Sequence, residues 1–171
     1  VFLWYLLGGA LELKSDQEKN MTFKSQTIEE SVQVLSKVLA NTAILQMKTK
    51  NGHWNVQDPR FSQLHSLFDC QSDELLEGID EVAERIRMLD ARPLATFAEF
   101  LKVSSLQEDM TVTSGHGILE ALLKDHQKMV GFLRQALERL KDSEDQGTLD
   151  LLTDRLRSHE KTAWILASHH V

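Results

Sequence analysis

Only two prolines, Pro59 and Pro93, stand in a chain of 171 residues, and its eight glycines are scattered among long runs of Leu, Ala, Glu, Lys and Gln. Those residue types lose little freedom in a helix, whereas proline removes a backbone donor and breaks one. The apolar–polar alternation that marks strands is nearly absent. Such a chain has one simple solution: a few long helices that bury apolar stripes on one another. The length suits one domain with a full-sized core. No repeat, low-complexity tract or linker divides it.

Thr27 and Glu30 form a capping box, which places a first helix at about 28–56. Ile28, Val32, Leu35, Leu39, Leu45 and Met47 recur along it near the helical period. Asp58 as N-cap and Pro59 at the first helical position start a second helix, which runs to about Leu89. Its apolar stripe is Phe61, Leu64, Phe68, Leu75, Ile79, Val82, Ile86 and Leu89. After Pro93 a loop carries a short helix at about 96–101. A third long helix follows at about 114–141, with Ile118, Leu122, Met129, Leu133, Leu137 and Leu140 inward. The acidic turn KDSEDQGT ends it. Thr148 then caps a fourth helix at about 149–168, with Leu152, Leu156, Trp164 and Leu166 inward. Four long helices with one long crossover, after the second, describe an all-α, ferritin-like four-helix bundle.

Net charge is −7, which argues against a body built to hold nucleic acid and leaves that task to a basic tail. Residues 1–24, read as an N-terminal extension before a domain at 25–171, do not supply one. Their Lys14, Lys19 and Lys24 are cancelled by Glu12, Asp16 and Glu18. The opening VFLWYLLGGA is shorter than the roughly 20 apolar residues that span a bilayer and lacks the basic start of a signal peptide. It is expected to pack on its own or a neighbouring subunit, and no membrane role is expected. The lone Cys70 can form no intrachain disulfide, so a reducing cytoplasm and a buried thiol are expected.

The second helix carries a polar stripe beside its apolar one. At about 100° per residue, His65, Asp69, Asp80 and Glu84 fall within about 100° of one another. Acids bordering a core lose solvation on one side, and a cation restores what they lose. His65 and Asp69 are one turn apart, as are Asp80 and Glu84. The two pairs are separated by about 16 Å along the axis, while bonds to first-row metals are about 2 Å long. One straight helix therefore cannot wrap both pairs round one ion. Two copies packed antiparallel about a two-fold axis near residues 74–75 can, and they make two equivalent sites. His53, brought in from the end of the first helix, completes each. Two imidazoles and three carboxylates suit iron or another divalent first-row metal. Taken singly, each of these residues is ordinarily a cap or a solvated charge; their shared phase and spacing give them weight.

At these residues the chain resembles the Dps family (DNA-binding protein from starved cells), the dodecameric mini-ferritins. The resemblance rests on HWNV, FSQLHSLFD, DEVAERIRMLD, RPLATFAEFLK and HEKTAWIL, and covers roughly residues 25–168. The spacing His-x11-His-x3-Asp-x10-Asp-x3-Glu is met without departure. No Glu-x-x-His, the motif of larger ferritins, occurs.

The resemblance implies intersubunit ferroxidase sites made of His53, His65 and Asp69 of one chain with Asp80 and Glu84 of its partner. It implies up to two irons per site (Fe2+ oxidised to Fe3+), hydrogen peroxide as oxidant in preference to oxygen, and ferric mineral stored in a hollow dodecamer that protects DNA. It places Trp54 beside the site, where the indole absorbs a stray oxidising equivalent; a packed helix-end indole is the plainer reading. It makes Asp150 an acid of the three-fold pore, with Glu144, Asp145 and Asp154 adding to a negative funnel. Gly147 stands where another pore acid is expected. Arg85 is expected to anchor a salt bridge at the interface.

Among the remaining histidines, His126 lies on an apolar stripe and is expected to be a hydrogen-bonded core residue. His116, His159, His169 and His170 have no partner legible in the sequence; the last two, near the C-terminus, are candidates for opportunistic metal binding. The runner-up reading is a nucleoid-compacting DNA-binding protein with a secondary iron role. The neutral tail disfavours it, since uncharged tails release few counterions, and DNA binding is expected to be weak. A third reading, a non-catalytic interaction protein, is disfavoured by the complete ligand set. The location expected is a bacterial cytoplasm, with association to the nucleoid as the alternative.

Overall fold

The computed structural model describes the backbone of residues 2–109 and 111–169 and the side chains of residues 27–109 and 111–169. Five helices follow in order: α1 (Phe2–Asn55), α2 (Phe61–Met88), α3 (Phe97–Val103), α4 (Gly115–Leu140) and α5 (Gln146–Ala167). No described helix is long and apolar enough to cross a membrane.

Contacts between the long helices fix the topology. His53 meets His65, and Gln46 meets Ser72, so α1 and α2 run antiparallel. Lys48 reaches Asp125 while Glu30 lies near Arg139, which makes α1 and α4 antiparallel too. Only residues 141–145 separate α4 from α5, and His126 meets His159 across them, giving a third antiparallel pair. Hence α2 and α4 run the same way, and only a long crossover can join them. That crossover, residues 89–114, is the long connection of a ferritin-like bundle.

The crossover is stitched down. Asp90 takes φ 60° just past α2, and the Ala91 N–H donates to the Ile86 carbonyl, closing the helix end. Thr96 and Glu99 cap α3 reciprocally. Asn41 Oδ1 accepts from the Ser105 N–H at 2.8 Å, and Leu106 is buried beneath. The core between the helices is built from Leu35, Leu39, Leu45, Leu64, Phe68, Ile86, Ile118, Leu122, Met129, Leu133, Leu152 and Leu166. Each such side chain contributes about 1.5–3 kcal/mol by leaving water.

Several boundaries differ from expectation. Helix α1 runs straight through the Thr27–Glu30 box, because nothing between Ala10 and Asn51 is Gly or Pro and a cap ends a helix only where the backbone leaves helical angles. The N-cap of α2 is Arg60, without a side-chain cap; Asp58 instead accepts from the Arg60 N–H at 2.9 Å in the turn before it. Asp145, not Thr148, caps α5. Cys70 is exposed, since it lies about 200° round the helix from buried Phe68. Trp164 is 69% exposed for the same reason, two residues before buried Leu166. Phe61 is 47% exposed and stacks on His65 rather than entering the core. The packing expected of VFLWYLLGGA falls outside the described side chains.

Candidate metal centre

The end of α1 and the start of α2 bring two imidazoles face to face. The rings of His53 and His65 stack with centroids 3.7 Å apart and planes 23° from parallel. Gly52 allows α1 its approach to α4, since a Cβ there would lie 2.8 Å from Ile118 Cγ2. Two hydrogen bonds lock the pair. His53 Nδ1 lies 2.8 Å from the His65 carbonyl, and His65 Nδ1 lies 2.9 Å from the His53 carbonyl. A carbonyl oxygen only accepts, so both rings carry their proton on Nδ1. Both Nε2 atoms are left as lone-pair donors. A backbone carbonyl that fixes tautomer and orientation is the usual support of a metal-binding imidazole.

Asp69, one turn past His65, places Oδ1 3.7 Å from His53 Nε2. The same oxygen accepts from Lys50 Nζ at 2.7 Å. That ammonium, helped by the nearby imidazoles, holds the Asp69 carboxyl below the usual carboxylate range. Lys50 is absent from the sequence-level ligand set, although it stands one turn before His53. A cation already rests where a carboxylate ligand is expected.

Asp80 and Glu84 lie farther along α2, both exposed. Among the described residues no three His, Cys, Asp or Glu side chains converge on one point within this chain. One end of α2 therefore carries His65 and Asp69 beside His53 of α1, and Asp80 and Glu84 lie farther along it. Trp54, beside His53, is 62% exposed and is not a packed indole in this chain.

The acids near α5 divide. Glu144 and Asp150 are exposed. Asp154 is half-buried and paired with Arg155 at 3.0 Å and Arg157 at 2.7 Å. Asp145 is nearly buried: it accepts from the Thr148 N–H and is paired with Arg85. Arg85 turns to Asp145 within its own chain, and its Nε donates to Thr148 Oγ1 at 3.1 Å. A Cβ at Gly147 would lie 3.0 Å from Arg85 Nη2, so an acidic side chain at that position would crowd this guanidinium.

His126 is a buried core residue, as expected, and its partner is His159: the two Nδ1 atoms are 3.0 Å apart. His170 lies outside the described residues.

Residues 32–171 match the ferritin-like domain family. The chain is 38% identical over 135 residues to DNA protection during starvation protein 2 of Bacillus anthracis, covering 79% of this chain and 92% of that one. It superposes on Dps from Thermosynechococcus elongatus with a TM-score of 0.82 at 30% identity, covering 86% of this chain and 94% of the other. The chain belongs to the Dps family of ferritin-like proteins. A Dps protein of Vibrio cholerae, described as a member of a broad superfamily of ferritin-like diiron-carboxylate proteins, superposes with a TM-score of 0.80 at 31% identity over 84% of this chain and 90% of that one.

Proposed function

We propose that this Dps protein is an iron-storing and iron-detoxifying shell. It oxidises Fe(II) at sites shared between two subunits and keeps the ferric product inside a hollow dodecamer. The observation that carries this reading is the reciprocal lock of His53 and His65, which leaves two Nε2 lone pairs beside Asp69 in a half-open site. Asp80 and Glu84 of a symmetry mate supply the missing carboxylates, since their own helix holds them about 16 Å away.

Iron is the substrate. Two Fe(II) ions each give one electron to one hydrogen peroxide, whose O–O bond breaks. With two waters the products are two FeO(OH) and four protons, so charge and atoms balance and no hydroxyl radical is released. The carboxylates stabilise the rising charge on iron, and the imidazoles leave room for water and oxidant. Asp150 and Glu144 remain exposed and concentrate Fe(II) at a pore, whereas Asp145 is engaged by Arg85. Removal of iron and peroxide protects DNA without contact, so the protective role needs no DNA binding. The reaction suits a bacterial cytoplasm.

Anaerobic addition of Fe(II) and then peroxide tests the reading. Ferric absorbance is expected to rise at two irons per peroxide and to be abolished in His65→Ala/Asp80→Ala. A parent protein that consumes no peroxide in this assay is not a ferroxidase.

A further inference from the structure

We infer that the buried His126–His159 pair is an acid-labile joint: a subunit that is firm near neutrality opens along the α4–α5 seam on acidification, and the shell comes apart from there. Such a joint goes beyond iron oxidation and rests on residues that oxidation does not use.

The geometry excludes a doubly charged pair. The two Nδ1 atoms are 3.0 Å apart, so one must donate and the other accept. A doubly protonated pair would set two N–H groups against each other. Both residues are buried, at 1% and 3% exposure, and His126 Nε2 has no hydrogen-bond partner among the described residues. A proton added at His126 Nε2 would be buried without an acceptor.

No surrounding charge relieves this. On α4, Asp125 is turned to Lys48 of α1 at 2.5 Å and to Lys128 at 3.0 Å. On α5, Arg155 is a cation and is bound to Asp154 and to Glu81 of α2. Glu74 of α2 accepts from Ser158 at 2.6 Å, and Glu160 is paired with Arg134 at the surface. Each of these carboxylates already has a partner. Burial alone pushes His126 down to about 3, and burial, then His126 and Arg155, keep His159 well below its ordinary value.

The sign follows from linkage. Unfolded histidine takes its proton near pH 6.5, while the folded pair refuses it. Below that pH the unfolded state binds more protons, so stability falls as the pH falls from about 6.5 towards 3. Above 6.5 the contribution is complete and flat.

The test compares the intact shell with His126→Leu/His159→Leu, in which both partners become apolar together, and with His159→Gln, whose amide N–H can still donate to His126 Nδ1. Helicity and particle mass are followed from pH 8 to 3, with thermal melts at pH 8 to confirm folding. The parent is expected to lose shell mass at least one pH unit above the double variant, with His159→Gln between them. Amide exchange of the unmodified protein at pH 7 and 4.5 reads the same event without substitution, and α4 around 126 and α5 around 159 should lose protection first. Coincident acid transitions in all folded variants, or exchange that begins elsewhere in the bundle, would overturn the joint.

Discussion

Two imidazole pairs cross antiparallel helix seams in this molecule, and they are built in opposite senses. His53 and His65 donate to each other's backbone carbonyls, stack their rings and leave both Nε2 atoms out of that lock. His126 and His159 bond to each other through Nδ1 and are closed off by the core. The first pair gives its protons to the backbone and keeps lone pairs for something else. The second uses its hydrogen-bonding capacity on itself. Whether a histidine pair is a site or a strut is decided by where the second nitrogen faces, which a list of histidines does not show.

The contrast is broken most sharply by removing one member of each pair. His53→Ala should lower Fe(II) oxidation by at least about a hundredfold, measured by stopped-flow absorbance, and cost less stability than His126→Ala, since His53 lies at the rim of the core. His126→Ala should do the reverse. A cavity and an orphaned His159 cost about 2–4 kcal/mol, read from denaturant unfolding, with oxidation retained in assembled shells. If both substitutions had the same effect, the distinction between site and strut would be lost.

A smaller effect sharpens the open pair. Lys50 rests on Asp69 as a tethered cation, so Lys50→Met should raise affinity for Zn2+, a redox-inert probe, by up to about fivefold, as expected for a half-exposed ion pair. Titration calorimetry measures it, and Lys50→Arg should behave like the parent. The smallest effect is expected at the pore. Asp150→Asn should slow iron uptake about two- to threefold at low salt and less at high salt, because the acid acts only through its field.

Much of this was legible in the sequence. Sparse breakers and 3.6-residue stripes gave four long helices, and the extended crossover gave their order. The phase of His65, Asp69, Asp80 and Glu84 on one helix is a property of spacing alone. What spacing does not carry is the partner across a seam. Lys50 escaped notice because a lysine on a helix is ordinarily solvated, and only the approach of α2 puts Asp69 beneath it. His159 had no visible partner because its match is on another helix, 33 residues away in sequence. Thr27–Glu30 and Thr148 looked like caps because capping reads local chemistry, while α1 continues through one and Asp145 pre-empts the other. Trp164, read as packed, and Trp54, for which packing was one of two readings, stand largely exposed because hydrophobicity without phase says nothing about direction.

Mixed assembly tests the shared site most directly. His65→Ala chains and Asp80→Ala chains, each inactive alone, are unfolded together, co-refolded and assayed for ferroxidase activity. Every interface between unlike chains contains one intact site and one doubly damaged site. With random pairing, half of the interfaces are mixed, so about a quarter of parental activity should return. Activity no higher than that of the separately refolded variants would show that each site belongs to a single chain and would contradict the account.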